Sequence, residues 1–92
     1  MSISDDIKQR LEEADQRYWA GDNISDYIQP GEKDMLIDEL TTKFEDVLKG
    51  LVIDIKNDPN SMDTGRRLAK MYINELMSGR YDPMPKATAF PN

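Results

Sequence analysis

Residues 32–51 read EKDMLIDELTTKFEDVLKGL and carry the longest apolar stripe of the chain, with apolar side chains recurring every three or four residues. The stripe consists of Leu36, Leu40, Phe44, Val47, Leu48 and Leu51. Pro30 biases the residue before it away from helical angles, and Gly50 weakens the end of the stripe. The pattern predicts a helix over 32–50, and we expect the apolar run 51–55 to add a last buried turn rather than an extended piece.

A second apolar stripe lies upstream at Ile3, Ile7, Leu11, Ala14 and Tyr18. These positions share one face of a helix, which Ser2 or Ser4 can cap and which Gly21 can end. The spacing predicts an N-terminal helix over about 4–20, within a segment 1–21. An ordered connector, 22–31, is expected to follow because the stretch is dense in turn formers.

A third helix is predicted over 64–78. Asp63 or Thr64 is a suitable N-cap, and Gly79 falls where a left-handed residue commonly ends a helix. The inward-facing side chains would be Leu68, Met71, Tyr72, Leu76 and Ile73. Residues 80–92 are rich in proline and predict an irregular or extended tail without a helix.

These elements predict an all-α chain of three helices in a single domain, 1–92. Its parts are the N-terminal helix, the connector, a helix pair over 32–79 and the tail 80–92. With a mean hydropathy of -0.72, a chain of 92 residues has a small core. We therefore expect its apolar helix faces to pack against a partner surface.

The charge balance narrows the classes of function. The chain has 12 basic and 18 acidic residues, which gives a net charge of -6. Nucleic-acid phosphates and anionic lipid headgroups are repelled by such a surface at long range, so we expect neither a nucleic acid nor a membrane as partner. No apolar run is long enough for a membrane span, and the acidic N-terminus is unlike a signal peptide, which favours a cytoplasmic protein.

Neither cysteine nor histidine occurs among the 92 residues. Disulfides, thiolate nucleophiles and the usual zinc ligands are therefore excluded, as is the commonest general base near neutral pH. The sequence predicts no catalytic residue, no metal ligand and no cofactor in this chain.

The first two turns of the third predicted helix contain three cationic residues, Arg66, Arg67 and Lys70. Arg67 and Lys70 are three residues apart and so share a face, beside the unsatisfied amides of a helix N-terminus. This arrangement suits a phosphate, because a guanidinium binds two oxygens and an ammonium acts as a point charge. The alternative is a solvated face whose cations pair with acids such as Asp63, or with Glu32 and Asp34 across the fold.

The residues around these cations, 63–79, read DTGRRLAKMYINELMSG. This stretch resembles the segment of GTP cyclohydrolase I that opens with a Thr-Pro cap and continues with Arg, an aliphatic residue and Ala-Lys-Met-Tyr. The resemblance extends back through LTTKFEDVLKGLVID and forward through PKATAFPN, so it covers roughly 32–92. Gly65 departs from the family's usual proline, and we expect it to loosen the helix start by under about 1 kcal/mol.

The resemblance implies a fold and an activity. The chain would correspond to the N-terminal helical part of an α+β tunnelling fold. Enzymes of this family open the purine ring of GTP, release formate and form dihydroneopterin triphosphate for folate, pterin or 7-deazaguanine synthesis. Their zinc is held by two cysteines and a histidine, and their active sites form between subunits of a toroidal decamer. The family's arginine and lysine that look toward the substrate triphosphate fall on Arg67 and Lys70, which we predict as substrate-binding residues.

Two hypotheses follow, and whether the chain is an enzyme stays open between them. In the first, the chain is an assembly and triphosphate-facing module of GTP cyclohydrolase I that is inactive alone. It would bind GTP or another triphosphate anion and dock on a catalytic half or on copies of itself, with zinc belonging to the complete enzyme. In the second, it is a freestanding helical protein derived from that family, which binds a nucleotide or regulates an intact enzyme.

Overall fold

The computed structural model describes residues 2–84, which form helices joined by turns. The helices are α1 (Ile3–Glu13), α2 (Glu32–Gly50), α3 (Thr64–Met71) and α4 (Ser78–Tyr81), with a 3-10 turn at Ser25–Tyr27 and a π-helical segment at Tyr72–Leu76. No strand occurs within residues 2–84, so the all-α prediction is confirmed there. The last part of the predicted tail, 85–92, lies outside the described residues.

Helix α1 begins as the sequence predicts. The hydroxyl of Ser2 accepts a hydrogen bond from the backbone amide of Asp5 at 3.2 Å and so caps the first turn. Ile3, Ile7 and Leu11 are buried, which confirms the first part of the predicted stripe.

Helix α1 ends at Glu13, so the predicted range 4–20 is too long. Asp15 has a φ of 52°, and the amide after it donates to the carbonyl of Leu11 at 2.9 Å. These are the left-handed residue and the closing bond of a Schellman C-cap. The prediction relied on Gly21 as the stop, but an aspartate also tolerates the left-handed region because its side chain is short and polar.

Helix α2 has the predicted bounds, Glu32 and Gly50. It starts directly after Gly31, whose φ of 85° is a conformation that glycine adopts without crowding. Its N-terminal half buries the predicted stripe, but two stripe residues near its end, Val47 and Leu51, are exposed. The apolar face of α2 is therefore only partly covered within residues 2–84.

The predicted buried turn over 51–55 is wrong. Val52 has a φ of 64° and is 92% exposed, and the amide of Ile53 donates to the carbonyl of Leu48 at 3.2 Å. This is a second Schellman C-cap, which turns the chain away from the helix axis.

Two carboxylates of α2 hold α1 in place. Arg10 donates hydrogen bonds to both carboxylate oxygens of the buried Glu32, and the distance from Nη2 to Oε2 is 2.6 Å. These hydrogen bonds hold the pKa of the Glu32 carboxyl below its usual range, because their effect exceeds that of burial, which raises the pKa. At the other end of α1, the amide of Ser4 donates to Glu39 at 2.9 Å. Helix α1 therefore runs antiparallel to α2 and covers only its N-terminal half.

The predicted third helix, 64–78, is not a single α-helix. It is α-helical to Met71, continues as the π-helical segment and breaks at Met77. The last turn, α4, then includes Gly79, which was the predicted stop, and reaches into the tail that we expected to lack a helix.

Hydrogen bonds from the connector between α1 and α2 explain this last turn. The side-chain amide of Asn23 donates to the carbonyls of Gly79 at 2.9 Å and Asp82 at 2.7 Å. Arg80 donates to the carbonyls of Trp19 at 2.5 Å and Asp22 at 3.0 Å. Because these partners lie far away in sequence, local patterning does not reveal them.

The core lies where α1, the N-terminal half of α2 and the third helical stretch meet. Its buried members are Ile3, Ile7, Leu11, Ile24, Leu36, Ile37, Ala69 and Ile73. None of the helices within residues 2–84 combines the length and the apolar composition needed to cross a bilayer.

Candidate functional site

The first turn of α3 lies directly against α2. Gly65 is buried there, and a Cβ atom at this position would lie 2.8 Å from Cγ of Glu45 and 3.1 Å from the carbonyl oxygen of Thr41. Glycine therefore sets how closely α3 approaches α2. From the sequence we expected Gly65 only to loosen the start of the helix. Its close packing against α2 was not predicted.

An ordered loop leads into α3. The carboxylate of Asp58 accepts hydrogen bonds from the hydroxyl of Ser61 at 2.7 Å and from the amide of Asn60 at 2.9 Å. The Ser61 hydroxyl is the larger cause of a lowered pKa of the Asp58 carboxyl. These local bonds fix the direction from which the chain enters α3.

Asp63, one of the two residues predicted as the N-cap, occupies the N-cap position of α3. Its carboxylate makes no capping hydrogen bond. The hydroxyl of Thr64, the other predicted cap, donates instead to the carbonyl of Asn60 at 3.2 Å. No acceptor for the backbone amides of Gly65 and Arg66 lies among residues 2–84. The start of α3 thus keeps free donors, as helix N-termini without a side-chain cap do.

The side chains around this helix start form an open concavity of about 460 Å³. Its lining residues are Pro59, Asp63, Arg66, Arg67 and Lys70. Three of the five carry a positive charge and one a negative charge, so the surface is locally cationic on a chain of net charge -6. A volume of this size falls within the range of small-molecule sites, which is about 300–1,000 Å³.

The three cations of the concavity are not equivalent. Arg66 donates to the carboxylate of Asp38 on α2 at 2.9 Å, and both side chains of this pair are exposed. Arg67 and Lys70 are exposed as well, but neither has a carboxylate within 4.0 Å among residues 2–84. The structure therefore places both predicted substrate-binding residues at the concavity and pairs Arg66 with α2.

Arg67 and Lys70 were predicted from the sequence to share a face, and both line the concavity. Two other lining residues were not predicted: Asp63 was expected to be a cap or an ion-pair partner, and Pro59 was not considered. The pairing of Arg66 with Asp38 was also missed, because it depends on how α3 crosses α2. The spacing of Asp63 and Arg67, one helical turn apart, was a signal that both would border the same surface.

The zinc site that the resemblance implies does not fit the residues of this chain. Zinc in such sites takes nitrogen and sulfur ligands, and the sequence supplies neither histidine nor cysteine. Within residues 2–84, no group of three carboxylates is arranged to hold a metal ion. We therefore assign no metal-dependent step to this chain.

Comparison with known proteins gives a partial match. A GTP cyclohydrolase 1 from Shewanella denitrificans is 44% identical over 48 residues, which cover 51% of this chain and 22% of that enzyme. No protein-family model matches the chain, and no solved structure matches it. The similarity supports a relation to that enzyme over about a fifth of its length, which is too short to assign the chain to its family.

Proposed function

We propose that this chain is a triphosphate-binding helical module of a GTP cyclohydrolase I assembly, and that it has no catalytic activity by itself. One observation carries the proposal: Arg67 and Lys70 both line a cationic concavity and have no ion-pair partner among residues 2–84. The partial similarity to a GTP cyclohydrolase 1 supports the choice of substrate class.

The chemistry of the two side chains fits a polyphosphate. The guanidinium of Arg67 presents parallel N–H donors that match two oxygens of one phosphate, and the ammonium of Lys70 neutralises a neighbouring one. The free amides at the start of α3 add donors and the positive end of the helix dipole. Because the concavity is open to solvent, we expect binding by the isolated chain to be weak and sensitive to salt.

Asp63 limits the affinity of this site. Its carboxylate lines the same concavity and repels a bound phosphate. Asp63→Asn should therefore strengthen the binding of inorganic triphosphate by about three- to tenfold, because removing a like charge at an exposed site contributes roughly 1 kcal/mol. Isothermal titration calorimetry at low salt measures this, and weaker binding by the variant contradicts the placement of the anion beside Asp63.

In this proposal the chemistry on the purine ring belongs to residues other than these 92. The module would supply part of the phosphate-binding site, while those other residues supply the ligands of the zinc. Binding energy from the triphosphate, remote from the reacting carbon, then positions the purine ring at the metal.

Reconstitution tests the proposal. The chain is mixed with the zinc-binding half of a GTP cyclohydrolase 1 that lacks the corresponding helices, and neopterin formation is followed by fluorescence after oxidation. We expect activity only in the mixture, and a higher KM for GTP when the chain carries Arg67→Ala with Lys70→Ala. No activity in the mixture overturns the module role and leaves the freestanding nucleotide-binding protein as the better account.

A further inference from the structure

A second cleft, with a volume of about 120 Å³, lies where α1, α4 and the segment between α1 and α2 meet. Its lining is largely apolar, because the half-buried rings of Tyr18 and Tyr81 border it together with four buried aliphatic side chains. The aliphatic residues are Ile7, Leu11, Ile24 and Leu36. None of these residues lines the concavity at the start of α3, so the two sites are separate.

Two cations line the same cleft, Lys8 on α1 and Arg80 on α4. Neither has a carboxylate within 4.0 Å among residues 2–84. The carboxylate of Asp22, in the segment that Arg80 contacts, is bonded to Arg17 instead, at 2.8 Å and 2.7 Å. The cleft therefore combines an apolar lining with positive charge that no ion pair within residues 2–84 neutralises.

Arg80 is held in a fixed orientation and keeps its charge. Its guanidinium donates to the carbonyl oxygens of Tyr18 at 3.2 Å, Trp19 at 2.5 Å and Asp22 at 3.0 Å. These acceptors carry no net charge, and three bonds do not use all five N–H donors of a guanidinium. Because the side chain is half-buried and already ordered, binding an anion costs little further side-chain entropy.

Two carboxylates are bonded to residues of the cleft, but neither of them lines it. Glu12 accepts a hydrogen bond from the hydroxyl of Tyr18 at 2.9 Å, and Glu39 accepts hydrogen bonds from the amide and the hydroxyl of Ser4. The charged groups that line the cleft are thus both positive. This charge favours an anionic ligand over a cationic one.

We propose that this cleft binds a short aliphatic monocarboxylate, whose chain packs on the apolar lining and whose carboxylate lies between Lys8 and Arg80. A guanidinium and an ammonium are common partners of a carboxylate in proteins. The volume limits the length of the chain. A cavity of about 150 Å³ holds benzene, so a cleft of about 120 Å³ accommodates about five carbons beyond the carboxylate.

The affinity should depend on chain length in the way that this volume dictates. From butyrate to hexanoate, each added methylene should strengthen binding by about fourfold, because it is transferred from water to the apolar lining. Beyond hexanoate the affinity should level off, because further carbons extend into solvent. We expect a Kd for hexanoate on the order of 1 mM.

A methyl-detected NMR titration of the whole 92-residue chain with sodium hexanoate tests the proposal. At constant ionic strength, we expect saturable shifts for the methyl groups of the four aliphatic lining residues. Lys8→Glu should weaken hexanoate binding by about three- to tenfold, because the reversed charge repels the carboxylate. The matched control is Lys49→Glu, which changes an exposed lysine outside the cleft and should leave the affinity unchanged.

Hexan-1-ol separates the contribution of the charge from that of the chain. This neutral analogue should bind more weakly than hexanoate, and Lys8→Glu should not alter its affinity. The proposal is overturned by an absence of saturable methyl shifts, by equal weakening of hexanoate binding in both lysine variants, or by an affinity that keeps rising from hexanoate to octanoate. Because the cleft shares no lining residue with the concavity, any of these results leaves the proposed function standing.

Discussion

At the scale of single residues, the backbone of Val52 is in a conformation that its side chain disfavours. A φ of 64° crowds a β-branched residue against its own backbone. With 92% of its surface exposed, the side chain recovers little packing energy in return. The C-cap of α2 therefore places backbone strain on Val52, and a glycine at this position would not be strained.

Val52→Gly should stabilise the chain. Relief of the left-handed strain exceeds the extra chain entropy of glycine by about 0.5–1 kcal/mol. Urea unfolding followed by circular dichroism measures the free energy of unfolding. Asp15→Gly at the end of α1 should give a smaller gain because aspartate tolerates this region, and a loss of stability in Val52→Gly would show that α2 does not end in this way.

Gly65→Ala should destabilise the chain by about 1–2 kcal/mol. The new methyl group would meet Cγ of Glu45 and the backbone of Thr41, so α3 must move away from α2. Gly50→Ala is the matched control, since it lies in open space in α2 and should add about 0.5 kcal/mol through helix propensity. Equal effects of the two changes in urea unfolding would contradict the close contact.

At the scale of elements, the sequence predicts what local chemistry determines. The start of α2 follows from Pro30 and Gly31, and the buried face of α1 follows from its stripe. The end of α1 was not predictable, because no glycine marks Asp15 as its left-handed residue. Helix α4 was not predictable either, since Arg80 and Asn23 hold it through bonds across more than fifty residues.

The docking of α1 should depend on pH through Glu32. Since the folded state lowers the pKa of this carboxyl, mainly through its hydrogen bond with Arg10, the stabilisation is fully present above the ordinary glutamate pKa of about 4.5 and is lost as the pH falls through the lower folded value. Urea unfolding between pH 7 and pH 2.5 should show this loss.

Glu32→Gln provides the check on that assignment. The variant should be less stable at pH 7 by about 2 kcal/mol, because it leaves the partly buried Arg10 without its charge partner, and its stability should vary less with acid pH. Glu13→Gln, at an exposed position, is the control. An unchanged pH profile in Glu32→Gln would assign the acid sensitivity to other groups.

At the scale of the whole molecule, the concavity at the start of α3 is cationic although the chain has a net charge of -6. Helical spacing alone predicted that Arg67 and Lys70 share a face, and the structure places both at the concavity. The exposure of Val47 and Leu51 was not predicted, because the sequence does not reveal that α1 covers only the N-terminal half of α2.

Triphosphate binding should depend on salt. Raising the NaCl concentration from 0.05 to 0.5 M should weaken it by about tenfold, because the charges of Arg67 and Lys70 are exposed and screened. Calorimetry at the two salt concentrations measures the change, and an affinity that does not depend on salt would contradict binding through these two cations.

The most direct measurement is a calorimetric titration of the chain with inorganic triphosphate at 0.05 M salt. The account predicts saturable 1:1 binding that weakens at least about tenfold in the variant with Arg67→Ala and Lys70→Ala. It also predicts unchanged binding in a variant that loses two other exposed cations, through Lys8→Ala and Lys49→Ala. Equal weakening in both variants, or no saturable binding by the natural chain, would contradict a phosphate site at the start of α3.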